Sequence, residues 1–600
     1  MTSPSKRRVL VTLAVAVVAV LGMVAVPASV SASAGDTGAS PFVGDTGVSP
    51  FVGDTGVSPT THGVGAGSPV ASSVDVVEED IVHECAATPP DDFSDPEAAD
   101  NEDVVGWVDG YWYNEPLEID TEDGLTEEEL EKLSARTAAR FEAMRCLSLK
   151  EMPTVEVLTR DEYREELEGL YEGVDDETRM YDNAKLATTL KVGQDEDSVD
   201  VRQEGQAVTV GGFYNFQEER IVVIADDPDD LPIDEAVLAH ELGHAIQDQH
   251  FDLGGYDRNT TDLDKAKLGV IEGDVHLIEH EYEHHCREDN WNEPCIIDDG
   301  NDGGDGEAAE PPNWGIYFKS FQPYSDGPAF VEHVYEEGGW EAVDALYDDM
   351  PRNSTTVIYP ELYGEFEPEE LTVEDESNED WERLDPEDRP AYDVIGQAGI
   401  TAAFMAPTYE TEAQVNILDP NDILNTVGFG QIDEFNPLNY DHPETDGWQG
   451  DRMYVYHDDD DRTGTVWKTA WEDPEEAEQF ADAYGELIDY RGGEPVEGYE
   501  GVYIFEEDSE FDQALSVQIE GDRVWIVTAP SVEELDAIHD GAAVETTPTP
   551  TPAGTPTPTP DPQAGDGTPT STSDDVIVPG FGIVAALAAL LMATLARRRQ

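Results

Sequence analysis

Two histidines four residues apart, with a glutamate after the first, form the run His240-Glu241-Leu242-Gly243-His244. Positions four apart share one face of a helix, so both imidazoles can reach a single metal ion. Glu241 then stands beside that ion, where a carboxylate can take a proton from a water that the metal polarises. A catalytic zinc takes three protein ligands and keeps one position for water, so a third ligand must come from elsewhere. His250 is in range by sequence, but Gln247 gives the helix no glycine at which to break. If the helix runs on, His250 lies about 80° around from His240 and about 15 Å along the axis, out of reach of the same ion. Glu272 is better placed, on the next helical segment beyond Gly254-Gly255, and the neighbouring Gly273 lets helices approach closely. The expected zinc ligands are therefore His240, His244 and Glu272, with Glu241 as general base. Asp274 and Asp248 are candidates for orienting a ligand histidine.

Other constellations are weaker. His276, His280, His284 and His285 line the second helix and raise the idea of a second metal. Asp299, Asn301 and Glu310 fit three positions of a calcium loop, but Gly303 occupies a fourth, so a solvated loop is expected. Tyr359 and Tyr363 are candidate proton donors, with a buried aromatic role expected for each. No Gly-x-Ser-x-Gly elbow and no phosphate-binding glycine loop competes.

The elements that must hold these residues are legible in part. Thr126 and Glu129 form a capping box, with Leu125 and Leu130 as its staple, opening a helix that runs to Cys146. Thr154 to Leu158 reads as a strand. Ala207–Phe216 and Arg220–Ala225 read as a strand pair, with a bulge at Gly211-Gly212. The motif helix starts near Asp234, with Leu238, Leu242, Ala245 and Ile246 as its apolar stripe, and a second helix is expected from Asp264 to Cys286. Beyond residue 445 short alternating strands surround a helix at Pro474–Tyr490 and end in a short helix at Ser531–His539. The four cysteines admit three pairings; Cys286 and Cys295 close a short loop, which leaves Cys85 for Cys146.

The chain carries 135 acidic against 31 basic side chains, a net charge of −104. Such a surface repels itself in dilute buffer, whereas at molar salt the Debye length is about 3 Å and the repulsion is screened. The acidity implies adaptation to concentrated salt and excludes nucleic acid as a partner. Residues 1–34 read as a signal peptide, with Lys6-Arg7-Arg8 before an apolar run and Ala32-Ser33-Ala34 at its end. Three Gly-Asp-Thr-Gly repeats make residues 35–73 a disordered spacer. Residues 546–573 are a Thr/Pro-rich stalk, and 574–600 combine Pro579-Gly580-Phe581, an apolar transmembrane segment and Arg597-Arg598-Arg599. Two sequons, at Asn259 and Asn353, mark a candidate glycoprotein.

The stalk, tripeptide, short apolar helix and basic end together resemble the sorting signal of haloarchaeal surface proteins. The resemblance implies cleavage near the tripeptide and a lipid anchor at the cell surface. The stretch from His240 to Leu253, the Glu272-Gly273-Asp274 step, and later Pro323-Tyr324, Gly338-Gly339-Trp340 and Gly396-Gln397-Ala398-Gly399 resemble secreted prokaryotic zinc-peptidase-like proteins over about residues 210–410. That resemblance implies a gluzincin site of His240, His244 and Glu272 with Glu241 as base, beside an edge strand on which a peptide can lie. Many gluzincins carry an acid four residues after the ligand glutamate; here that position is His276. The resulting expectation is an α+β chain: a zincin-like domain at 74–445 and a small α+β module at 446–545, flanked by disordered linkers. It would be a zinc metallopeptidase of a halophile's surface, with a peptide or protein substrate and the membrane and cell envelope as surroundings. The alternative is a non-catalytic surface or S-layer-associated protein that retains a zincin scaffold.

Overall fold

In a computed structural model the capping box at Thr126 is formed in both directions and starts helix α1 (Glu127–Arg145), which closes on Cys146 in the left-handed conformation. The described residues run from 85 to 545, apart from 97–103, 118, 120–124, 226–234, 288–290, 292–294, 297–312, 387–388, 429 and 507–508, with a short backbone pairing at 22–23 and 47–48 besides. The signal peptide, spacer, calcium-type loop, stalk and C-terminal segment expected from sequence lie outside them, that backbone pairing aside. Among the described residues no helix is long and apolar enough to cross a membrane.

The chain is a mixture of helices and sheets. Preceded by a hairpin, β1 (Trp107–Val108) with β2 (Tyr111–Trp112), α1 leads into β3 (Thr154–Thr159) and the helices α2 (Arg160–Tyr171), α3 (Asp176–Thr188) and α4 (Ser198–Thr209). Strands β4 (Gly212–Asn215) and β5 (Arg220–Ala225) follow. β5 is the centre of a three-stranded sheet, parallel to β3 and antiparallel to β4, which leaves β4 as an edge. The expected strand from Ala207 is shorter than its β-branched residues imply. Asp197 caps α4 by accepting from the amides of Val199 and Asp200, and the helix carries Ala207 and Val208 with it. A cap and a packed face outweigh the strand preference of Val208 and Thr209.

Helices α5 (Glu235–Phe251) and α6 (Thr261–Arg287) lie next, and α6 begins three residues earlier than its sequence pattern shows. α7 (Trp314–Leu346) packs along α6 and is broken by Gly339 at φ 63°. Their close approach rests on glycine: a methyl group on Gly273 would lie 2.2 Å from the Gly327 carbonyl oxygen, and one on Gly327 would lie 2.4 Å from that of Gly269. α8 (Ser354–Ile358) is capped by Asn353, whose side chain accepts from Thr356 and is 2% exposed, so the second sequon is closed to a glycan.

A seven-stranded antiparallel sheet fills the C-terminal part, in the order β9-β10-β11-β12-β8-β7-β6. Its strands are β6 (Glu382–Arg383), β7 (Trp448–His457), β8 (Thr463–Trp471), β9 (Glu494–Pro495), β10 (Val502–Ile504), β11 (Ala514–Glu520) and β12 (Arg523–Ala529). α9 (Gly396–Glu410), α10 (Pro474–Arg491) and α11 (Val532–Ile538) cover it. The sheet therefore takes in residues 382–383, ahead of the module boundary expected at 446. One apolar core joins Phe318 and Phe321 of α7 and Phe404 of α9 to Trp467, Trp471 and Phe480 of the sheet and α10. Disulfides Cys85–Cys146 and Cys286–Cys295 tie down the ends of α1 and α6.

Candidate metal centre

α5 is fixed first at its N-terminus. The Glu235 carboxylate, fully buried, receives Arg140 at 2.6 Å, Arg136 at 3.3 Å, the Tyr282 hydroxyl at 2.6 Å and the Ile296 amide at 3.0 Å. A full set of donors around a buried carboxylate is what makes its burial tolerable. Two turns on, Gly243 inside the motif is the point where α1 meets α5, because a methyl there would lie 2.5 Å from the Phe141 ring. The glycine of the motif is thus explained by packing and the histidines by their exposure to α6.

His240 and His244 both turn inward, with 0% and 3% of their surface exposed, and their Nε2 atoms stand 3.0 Å apart. Glu272 of α6 closes the triangle: its Oε2 lies 3.5 Å from His240 Nε2 and 3.2 Å from His244 Nε2. Ligand atoms about 2.0–2.1 Å from a tetrahedral ion are about 3.3–3.4 Å from each other. The three edges fit that figure, and the three residues form a group able to hold a metal. Glu272 has no well-aligned hydrogen bond to either ring in spite of its burial.

The far side of each imidazole is also held. His240 Nδ1 meets Glu279 Oε2 at 2.9 Å, and His244 Nδ1 meets Gln247 Oε1 at 2.9 Å. A carboxylate and an amide oxygen both accept, so each ring donates from Nδ1, and with a metal bound Nε2 would turn its lone pair to the triangle. Gln247 is positioned in turn by donating to Ile271 O at 2.9 Å and to the Tyr347 hydroxyl at 2.7 Å. Tyr347 donates to Asp274 at 2.7 Å, and Arg145 of α1 grips Asp274 with Nε at 2.6 Å.

Electrostatics follow this geometry. Burial alone would push His240 down, but Glu279 and Glu272 outweigh it and hold the ring up at about 10 in the metal-free fold. Burial opposes ionisation of Glu272, yet His244 and His240 carry its carboxyl well below the usual range. Glu241 is pushed up to about 7 by burial, against the pull of the two histidines. Both its oxygens are buried without a hydrogen-bond partner. Edge strand β4 passes beside it: a methyl on Gly212 would sit 3.5 Å from Glu241 Oε1.

The remaining candidates separate clearly. His250 lies on the continuing helix and points its Nε2 to Ser148 O at 2.7 Å. Asp274 reaches His244 only through Gln247, and Asp248 accepts from Tyr214 instead. His276 sits 2.8 Å from Glu279, so His240, His276 and Glu279 form a second ligand-like group that shares His240 with the first. His280 packs on Phe435 and His285 on Trp291. Tyr359 lies 2.6 Å from Asp446 and 2.9 Å from Asp441, with one proton to donate to either, and Tyr363 donates to Asp349 O. Glu279 and Gln247 were not singled out from the sequence. Glu279 is seven residues, two turns, beyond Glu272, and Gln247 is three beyond His244, so each spacing carried the signal.

Residues 578–600 match the PGF-CTERM motif, which marks proteins exported and anchored at the cell surface in haloarchaea. The protein is a cell-surface protein. Residues 382–539 match a family described as a domain of unknown function, DUF8575. That match covers the seven-stranded sheet with α9, α10 and α11, and it does not include the helices that carry His240, His244 and Glu272. Comparison with curated proteins and with solved structures gives no match.

Proposed function

We propose that this cell-surface protein is a zinc-dependent peptidase with a zincin-like site. The observation that carries the reading is the buried triangle of His240, His244 and Glu272, with the unpartnered carboxylate of Glu241 next to it. A zinc ion there would supply Lewis acidity toward the scissile carbonyl. Glu272 and the two Nε2 atoms hold that ion, and Glu279 and Gln247 fix the rings. Glu241 takes the proton of the attacking water and returns it to the leaving nitrogen. β4 is an outer strand of its sheet, along which an extended peptide can pair across the site.

One observation favours a second reading, a non-catalytic envelope protein in which the metal is structural. His240, Glu241 and Glu272 are each 0% exposed, so a substrate reaches Glu241 only if the surrounding elements open. The two readings part in one experiment: zinc content and peptide hydrolysis in molar salt for the wild type and Glu241→Gln. The peptidase reading expects equal zinc in both and hydrolysis lowered at least about 10²-fold in the variant. Zinc in both with no hydrolysis in either establishes the structural reading, and the absence of bound zinc overturns both.

A further inference from the structure

The scarce basic residues of this chain gather around one internal cavity where α3, α4, α6 and α7 converge. Lys185, Lys191, Arg202 and Lys319 line it, with Asp182 as the carboxylate among its walls. Asp182 is already engaged by Lys185 at 3.1 Å, Arg202 at 2.6 Å and Arg389 at 3.3 Å. Lys185 also reaches Asp393 at 2.9 Å. Lys191 is different: it is 3% exposed, and among the described residues no carboxylate or carbonyl pairs with its ammonium. Burial, followed by the neighbouring charges of Lys319 and Lys185, pushes it down to about 7. The lining thus holds four basic side chains beside Asp182, with Asp393 against Lys185 and the charges of Asp393 and Asp451 reaching Lys191 from farther off, in a chain whose basic residues number 31 against 135 acidic ones. A buried ammonium without a paired carboxylate either gives up its proton or gains an anion, and an anion in this cavity would keep Lys191 charged.

Supply selects the anion. The cavity is small, about 20 Å³, and partly open. Chloride is the abundant small anion in the concentrated salt that the acidic surface implies, and it brings Lys191 a charge that a neutral water cannot. We propose that this cavity is a halide site in which a chloride ion is held by the Lys191 ammonium, within the field of Lys185, Arg202 and Lys319. The ion would bind together the turn after α3, α4, α7 and the first turn of α6, the helix that carries Glu272 further along. Chloride would then act on this protein as a specific ligand, separately from its screening of the acidic surface.

The test keeps cation and ionic strength constant while chloride is replaced stepwise by the larger gluconate, and follows thermal unfolding of the full chain. The wild type is expected to gain at least about 2 °C in midpoint as chloride is restored, with saturation. Lys191→Met fills the same space without the charge, so it should lose this rise and be no less stable than wild type in gluconate. A wild-type midpoint that does not respond to chloride overturns the proposal, as does an equal response in the variant. Anomalous diffraction from full-chain crystals grown in bromide decides the matter if Lys191→Met does not fold. A bromide peak in contact with Lys191 Nζ upholds the site; a water or a side chain in that place refutes it.

Discussion

Substituting Gly273 by alanine puts the least possible atom in the most sensitive place. The added methyl would stand 2.2 Å from the Gly327 carbonyl oxygen and 2.9 Å from a Val331 methyl, where ordinary contact begins at 3.4 Å. The shortfall against the carbonyl is 3.4 − 2.2 = 1.2 Å, taken up by parting α6 from α7. Overpacking of this kind costs about 1–3 kcal/mol, and the better helix propensity of alanine returns about 1 kcal/mol. The net loss of stability is therefore modest, about 0–2 kcal/mol. The effect on the metal is not modest, because Glu272 is the adjacent residue and metal–ligand distances tolerate only about 0.2 Å. A shift of α6 by half the shortfall already breaks the triangle. Zinc affinity, measured by competition with a chromophoric chelator in molar salt, should fall by at least about tenfold, while the unfolding midpoint of the metal-free protein moves by only a few degrees. Gly273→Ala with unaltered zinc affinity would show that α7 alone yields, or that Glu272 is not a ligand.

Further outcomes follow from other contacts. Glu279→Gln keeps the shape but replaces the carboxylate that holds His240 Nδ1, so zinc affinity measured with the same chelator should weaken about 10–100-fold. Separate replacement of the two disulfides should show unequal costs in denaturant titrations. Loop-entropy arguments give about 4 kcal/mol for Cys85–Cys146, 61 residues apart, and about 2.6 kcal/mol for Cys286–Cys295, 9 apart. Burial pushes Asp262 up to about 7 in the fold, with Asp451 and Asp393 adding to the effect, against the two hydrogen bonds from Ser354. Its folded value lies above the unfolded one, so the native state holds the proton more tightly; that stability is complete near pH 4 and is lost as pH rises through about 7. Asp262→Asn should flatten the stability profile between those limits, and an unchanged slope would exclude Asp262 as its source.

The sequence carried the inner ring of the candidate site because the spacing of its residues is local. His240 and His244 share a helix face by spacing alone, and Gly254-Gly255 with Gly273 marked how the next helix could return to meet them. The capping box at Thr126, the start of α5 and the disulfide pairs were also local signals, and all appear in the structure. What lay hidden was long-range. Gln247 looks like a solvent-facing helix residue until Tyr347, 100 positions later, completes its buried network. Glu279 is one acid among 135 until His240 turns toward it. Strand order could not be read either: Glu382–Arg383 joins the large sheet by pairing with Tyr456 and His457, across more than 70 residues of intervening chain.

The distribution of charge gives the acidity a second meaning. Concentrated salt screens charges on the surface within a few ångströms, but it leaves buried pairs almost untouched. A protein that lives under such screening can surrender its outer basic residues and still depend on the inner ones. Here Arg136, Arg140 and Arg145, on one helix, are each buried to within 1%. The first two converge on Glu235 at the start of α5, and the third holds Asp274, which leads through Gln247 to His244. α1 therefore reads as the scaffold of the centre: its arginines fix the helix with the two histidines at one end and the helix with Glu272 at the other. Because these pairs are buried and supplied with further hydrogen bonds, removal of both Arg136 and Arg140 leaves the Glu235 carboxylate without a cation, at a cost of about 3–5 kcal/mol. Added salt cannot compensate for that loss, since ions that shield the surface do not enter the space between α1 and α5.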